Sequence, residues 1–291
     1  MSQAPVKRTW AQLLSRSRPL VLPGAYDALS GMLIEQAGFE AMVIGGFPLA
    51  GARYGLPDVG LVGLAEMAAG AQDIIRATNI PALVDADDGY GGVRSVTRTV
   101  RMYESVGVGA LLLEDQANPK RCGHLPGKDV IGAEDMARKI RAAVAARNNR
   151  QLFVIARTDA RAVHGLSEAL RRAERYLGAG ADGIFIEAPE SVEELEAIGR
   201  AFDVPQVCNM LVGGRTPLLP TQVLHEMGFQ MIVHGTTLIK RVARAIQLTL
   251  TELRCDELDY SGTEFLTLSE FLEVMSFGWR RFGKKELGTG L

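Results

Sequence analysis

The 291-residue sequence predicts an α/β protein, a (β/α)8 TIM barrel, on three observations. First, a helix-like segment closing on glycine is followed by a β-rich apolar run, and this unit recurs. It reads Q-A-G-F-E-A-M-V-I-G-G at Gln36–Gly46 and G-A-G-A-D-G-I-F-I-E-A at Gly178–Ala188. Glycine suits the left-handed residue that ends a helix. Second, the apolar runs are continuous rather than alternating, as strands covered on both faces of a parallel sheet require. Third, the runs number eight, and eight β/α units in a chain of this length close as one barrel. An open doubly wound sheet is the rival arrangement.

The strands follow in order. L-V-L-P gives the first at Leu20–Pro23, A-M-V-I-G-G the second at Ala41–Gly46, and A-L-V-D-A-D the third at Ala82–Asp87. A-L-L-L-E-D gives the fourth at Ala110–Asp115 and L-F-V-I-A-R-T-D the fifth at Leu152–Asp159. The sixth is Gly183–Ala188, the seventh Gln206–Met210 and the eighth Met231–Gly235. Among the amphipathic segments between them, Glu134–Ala146 and Ser167–Leu177 are the clearest helices. A further helix at Phe265–Phe282 carries Phe271, Met275 and Trp279 four apart, the spacing of a helical stripe. It packs on its own barrel or is donated to a neighbouring subunit. Residues 1–291 are read as one domain.

Composition narrows the function. A net charge of −2 gives no electrostatic case for nucleic acid or an anionic membrane. No apolar run approaches the roughly 20 residues that span a bilayer, and the N-terminal M-S-Q-A-P-V-K-R-T-W has no apolar signal core. Cys122, Cys208 and Cys255 are odd in number and irregularly spaced, so a disulfide framework is not expected. The reading is a soluble, reduced, cytoplasmic protein.

The candidate strands repeatedly end in polar groups: Asp85, Asp87 and Asp88; Glu114 and Asp115; Arg157 and Asp159; Glu187; Asn209; His234. Barrel enzymes place their sites at the C-terminal ends of strands, so the recurrence predicts one shared site. Residues two apart on a strand point the same way, so Asp85 and Asp87 of V-D-A-D-D-G-Y-G-G share a side. Paired carboxylates need a cation or a proton between them, and oxygen ligands without histidine suit magnesium. The glycines that follow allow close backbone approach to a ligand.

Cys122 lies in P-K-R-C-G-H, a polar loop, with no second cysteine at zinc spacing. Lys120, Arg121 and His124 would favour its thiolate. The thiol can trade a proton with a bound reactant or act as a nucleophile. His164 and His225 are expected to serve the surface, and no nucleotide-binding glycine loop of the G-x-G-x-x-G or Walker type is expected, since the G-A-G-A-D-G of Gly178–Gly183 ends a helix and leads into a strand.

Four motifs, V-D-A-D-D-G-Y-G-G, L-E-D-Q-A-N-P-K-R-C-G-H, I-A-R-T-D-A and N-M-L-V-G-G-R-T-P, together resemble the isocitrate lyase / phosphoenolpyruvate mutase superfamily. The resemblance runs from about Leu20 to Trp279 and is nearest to the 2-methylisocitrate lyase, 2,3-dimethylmalate lyase and petal-death-protein branch. It implies magnesium, or manganese in its place, at Asp85 and Asp87, with Asp58 and Glu114 reaching it through water. It implies that a substrate carboxylate meets backbone amides of Gly45, Gly46 and Phe47 and those near Cys122 and Gly123. Arg157, Glu187 and Asn209 would complete the pocket. Cys122, with His124, Arg157 and Glu187, would be catalytic, the thiol acting as general acid on a mobile loop at 117–130.

A C-terminal helix at 263–283 would be swapped between subunits in a homotetramer, a dimer of dimers. The implied reaction is retro-aldol cleavage of a 2-hydroxy di- or tricarboxylate, of the 2,3-dimethylmalate or 2-methylisocitrate type. Oxaloacetate hydrolysis or decarboxylation, and a carboxyphosphonoenolpyruvate-type phosphonomutase, are the alternatives.

The chain also departs from the pattern. Gly45 stands where the lyases usually have serine, Thr267–Phe271 offers no arginine for a third carboxylate, and Val212-Gly213-Gly214 lacks the usual acid. These departures favour a dicarboxylate. Gly235 stands where the oxaloacetate hydrolases carry serine.

Overall fold

The computed structural model describes residues 8–260 and 265–279. Among them eight parallel strands form one sheet: β1 Leu20–Pro23, β2 Met42–Ile44, β3 Ala82–Asp85, β4 Ala110–Glu114, β5 Phe153–Thr158, β6 Gly183–Ile186, β7 Gln206–Asn209 and β8 Met231–His234. The hydrogen-bonded order is β1-β8-β7-β6-β5-β4-β3-β2. A parallel bridge from Gly24 to Val43 brings β2 back against β1, so the sheet is a nearly closed barrel and not an open doubly wound sheet.

The helices in chain order are α1 Trp10–Leu14, α2 Ala28–Gln36, α3 Gly46–Tyr54, α4 Leu64–Ala77, α5 Val93–Ser105 and α6 Ala133–Ala146. They continue as α7 Ala160–His164, α8 Leu166–Gly178, α9 Val192–Gly199, α10 Thr221–Met227, α11 Thr237–Cys255 and α12 Leu268–Trp279. The two clearest predicted helices are α6 and α8.

Successive strand residues face opposite ways. Leu20, Leu22, Val43, Leu83, Leu112, Ile155, Phe185, Val207, Met231 and Val233 fill the barrel interior. Their neighbours Met42, Ile44, Val84, Leu111, Val154, Ile184 and Ile232 pack outward under the helices. Burial on both faces is why the strands read as unbroken apolar runs. Trp10 of α1 closes the N-terminal end; it is 1% exposed and its Nε1–H points at Met231 Sδ, 3.4 Å away.

Two strands stop short of their apolar runs, and both stops matter for the site. β2 ends at Ile44 because Gly45 becomes the N-cap of α3, a helix the sequence did not announce. β3 ends at Asp85, and Asp87 lies in a turn with φ +48°. The expectation that Asp85 and Asp87 share one side of a strand is therefore corrected. Gly89 and Gly91, also at positive φ, build the turn into α5 rather than a close approach to a ligand.

At the C-terminal end, α11 has no buried residue and exposes Val242, Ile246, Leu250 and Leu253. α12 lies against α2, where a Cβ on Gly278 would be 2.7 Å from Met32 Sδ, while Phe271 is exposed. Residues 263, 264 and 280–283 of the expected terminal helix lie outside the described residues, as does the Trp279 side chain. No helix among the described residues is long and apolar enough to cross a membrane.

Candidate active site

The inward register of the barrel continues past its apolar core into polar residues. Asp85, Glu114, Arg157, Glu187 and Asn209 each lie two positions beyond an interior residue: Leu83, Leu112, Ile155, Phe185 and Val207. They line one cavity at the C-terminal mouth, together with Gly45, Gly46, Phe47 and Asp58. The 117–130 loop lies over it and adds Lys120, Cys122, Gly123 and His124. Gly46 and Phe47 are the first residues of α3, so their backbone N–H groups begin a helix, a setting that favours anions.

The polar positions of opposite parity do other work. Asp115 faces outward and accepts hydrogen bonds from Thr158, Tyr176 and Arg172 under α8. Asp88 pairs with Lys139 and Asn118. His234 lines an apolar groove between α2 and α11. The expected shared site therefore excludes these three. His164 is exposed, and His225 contacts the carbonyls of Phe229 and Ser17.

The carboxylates gather on one side. Lys120 Nζ lies 2.7 Å from Asp58 Oδ1 and also reaches Asp87 Oδ1. The Asp87 N–H donates to Asp85 Oδ1 at 3.0 Å. Asp87 lines a smaller adjoining cleft rather than the main cavity. Burial pushes its carboxyl up to about 7 against the pull of Lys120. Burial also pushes Glu114 well up, against Arg157 and Lys120, and its Oε1 is buried without a partner.

Four hard-oxygen side chains with an unpartnered Glu114 oxygen fit a hard divalent cation by donor chemistry. Among the described residues no three His, Cys, Asp or Glu are drawn together as a ready metal cluster. The lysine ammonium joins two of the four carboxylates instead.

Arg157 binds the other side. Its Nε and Nη2 donate to Asp159 at 2.9 and 3.1 Å, and its Nη1 and Nη2 lie 3.3 Å from Glu114 and Glu187. Burial disfavours its charge, but these carboxylates outweigh burial and hold it as guanidinium. The guanidinium also lies over the Phe185 ring, 5.5 Å from its centroid. For Asp159, burial raises the pKa, yet Arg157 and Lys128 bring it down to about 2.

The loop is pinned at three points. Lys120 reaches Asp58 and Asp87, Lys128 Nζ lies 2.9 Å from Asp159 and also donates to the Gly123 carbonyl, and His124 meets Glu187. The Arg215 N–H donates to His124 Nδ1 at 3.1 Å, which leaves the ring proton on Nε2. Nε2 lies 3.1 Å from Glu187 Oε1. Burial raises Glu187, but Arg157 and His124 hold it below the usual carboxylate range.

The expected thiolate at Cys122 is not what this arrangement supports. Burial raises the thiol and overcomes the His124 N–H and Arg157. Lys120 is spent on carboxylates, and the Arg121 backbone is tied to the Gln116 amide while its guanidinium lies near Gly127. Cys122 is a protonated, half-buried thiol facing the cavity, suited to give a proton.

Residues 10–254 match the family described as phosphoenolpyruvate phosphomutase. The chain is 39% identical to 2,3-dimethylmalate lyase of Eubacterium barkeri over 280 residues, 96% of this chain and 97% of that protein. It belongs to the phosphoenolpyruvate mutase / isocitrate lyase superfamily. A second superfamily relative is the 2-methylisocitrate lyase of Halalkalibacterium halodurans, 38% identical over 277 residues, 95% of this chain and 91% of that protein. The crystal structure of a 2,3-dimethylmalate lyase superposes with a TM-score of 0.88 at 32% identity, covering 97% of this chain and 96% of that one. Lyases this similar over nearly the whole length make the chain a carbon–carbon lyase.

Within this superfamily barrel every residue that the resemblance assigns to the site lines the cavity except Asp87, which adjoins it, while the other polar strand ends Asp88, Asp115, Asp159 and His234 do not line it. Sequence reasoning missed Phe185, Lys128 and the Arg215 amide as parts of the site. Phe185 was recoverable from strand parity, two before Glu187. The others depend on how two loops meet, and no local pattern announces that.

Proposed function

We propose that the protein cleaves a 2-hydroxy dicarboxylate of the 2,3-dimethylmalate type by retro-aldol chemistry, releasing an oxo acid and a carboxylate. The observation that carries this reading is the half-buried Cys122 thiol presented across one small cavity from a carboxylate group.

Asp58, Asp85, Asp87 and Glu114 would hold magnesium or manganese. When bound, such a cation polarises the oxygens of a 2-hydroxy acid. The N–H groups at the start of α3 orient a substrate carboxylate. Arg157 is already shared among three carboxylates, so its part is to hold Glu114 and Glu187 in place while adding positive potential to the cavity. The hydroxyl gives its proton to a carboxylate of the cavity, its oxygen becomes a carbonyl as the C2–C3 bond breaks, and the electrons of that bond pass to C3. That carbon takes the proton of Cys122, and the proton taken from the hydroxyl returns to the thiolate before the next turnover. The loop opens for exchange of substrate and product, and closes to keep water from the carbanion.

Leu211, Val233 and Phe47 line the cavity as apolar contacts. They suit methyl substituents, which favours dimethylmalate over methylisocitrate. In the cytoplasm the three free cysteines would stay thiols. The exposed apolar residues of α11 and α12 would be covered by a second copy of the chain, with the C-terminal helix exchanged in a dimer of dimers.

The test is to incubate the protein and magnesium with 2-hydroxy di- and tricarboxylates and follow pyruvate and glyoxylate. Pyruvate from a dimethylmalate is expected. Turnover of oxaloacetate or a phosphonate, with every 2-hydroxy acid untouched, would overturn the reading.

A further inference from the structure

The loop after β7 is a socket for the cysteine-bearing loop. A Cβ on Gly214 would lie 2.6 Å from His124 Nδ1 and 2.9 Å from its Cε1, so the imidazole occupies the space a side chain would need. The next residue, Arg215, donates its backbone N–H to the same Nδ1. The socket is braced from outside. Arg215 Nη1 donates to Glu190 Oε1 at 2.8 Å, and Arg161 Nη1 lies 2.7 Å from the same oxygen. Glu190 lies three residues beyond Glu187, the other group that His124 touches. A third support comes from α11, where Lys240 Nζ donates to the Val212 carbonyl at 2.8 Å. His124 is thus gripped by two loops that are tied to each other.

Gly123 transmits this grip. A Cβ there would lie 2.6 Å from Glu187 Cγ, so the backbone is pressed against the cavity wall between His124 and Cys122. With the imidazole seated, the thiol one residue before Gly123 has little freedom of position.

We propose that Gly214 and the Arg215 amide are positioning residues for the lyase reaction: they seat His124 and thereby fix where Cys122 delivers its proton. On this view His124 is itself a positioning residue and not a proton carrier. The inference rests on Cys122 being the acid, but the seating can be measured without chemistry.

The experiment compares the parent enzyme, Gly214→Ala, His124→Ala and the double variant, all with magnesium. Amide hydrogen exchange across residues 120–126 is read without substrate, and kcat and KM are read on the substrate found. Gly214→Ala should speed exchange in this segment and lower kcat by on the order of 10²-fold, the cost of an ångström-scale misplacement, with little change in KM. His124→Ala should do the same without adding a side chain to the socket, which covers the case that Gly214→Ala does not fold. The double variant should be no worse than His124→Ala alone, because the clash is gone. Parental exchange in Gly214→Ala, or additive losses in the double variant, would overturn the socket. If instead Cys122 is not the acid, exchange will still respond to Gly214→Ala, whereas Cys122→Ser will keep its kcat.

Discussion

Lys120 Nζ lies 2.7 Å from Asp58 Oδ1, with the lysine 5% and the aspartate 12% exposed. A loop lysine is therefore a buried counter-ion of the carboxylate group that would hold the metal. Breaking a buried ion pair by removing one partner costs about 3–5 kcal/mol. Lys120→Met should lower the melting temperature in magnesium-free buffer, and excess magnesium should restore much of the loss. Equal melting of parent and variant without magnesium would show that the pair is idle.

Asp85 lies at the end of β3 on the inward register, beside Asp87. Asp85→Ala should abolish turnover while leaving the fold intact by circular dichroism. Chelator should silence the parent enzyme, and added magnesium should revive it. Full activity in excess chelator would remove the metal from the mechanism.

Cys122→Ser keeps the shape of the side chain but offers a much weaker acid. Losing a positioned acid typically costs about 10²–10⁴-fold in rate, and the fall should appear in kcat more than in KM. Burial raises the thiol, so the protonated form persists above the ordinary cysteine value. Activity should decline only as pH climbs through that raised value. Alkylation of Cys122 should quicken over the same range, later than for a free cysteine. Rapid alkylation at neutral pH would contradict a protonated thiol.

Asp159 has its pKa lowered from 3.8 to about 2, because Arg157 and Lys128 overcome its burial. A carboxylate depressed in the folded state adds stability that is complete above its unfolded value and is lost as pH falls through its folded value. The parent should therefore lose its advantage over Asp159→Asn between about pH 4 and about pH 2. Urea unfolding of both proteins across that range measures it, and a constant difference would refute the linkage.

In α11 Ile246 is 54% and Leu250 59% exposed, and under the proposed assembly a second copy of the chain covers them. A chain ended at Tyr260 loses α12 and should form smaller, less stable species by light scattering. A truncated protein that remains tetrameric would show that this helix does not hold subunits together.

The barrel and most of its mouth could be read in the sequence because burial on both faces writes itself as unbroken apolar runs. All eight strands overlap their predicted segments, and Asp85, Glu114, Arg157, Glu187 and Asn209 lie where those runs turn polar. What escaped depended on conformation rather than composition. Asp87 turns out of its strand at positive φ, and G-G-F-P begins α3 instead of ending β2. The cations of P-K-R-C-G-H reach carboxylates and backbone groups brought near by other loops, so burial, which adjacency in sequence does not reveal, decides the direction at Cys122. His124 shows the same limit, since its partner Arg215 lies 91 residues away.

Leu20 pairs in register with Met231, and Trp10 meets that methionine across 221 residues of chain. On a ribosome the first strand thus emerges long before the last, its partner. Until β8 is made, Trp10 lacks its Met231 contact and the free edge of β1 can pair with other chains. Such distant pairing slows folding, and transiently open apolar edges invite aggregation. A translation product that stops before β8 would keep this edge open for good, marking it for chaperones and proteases.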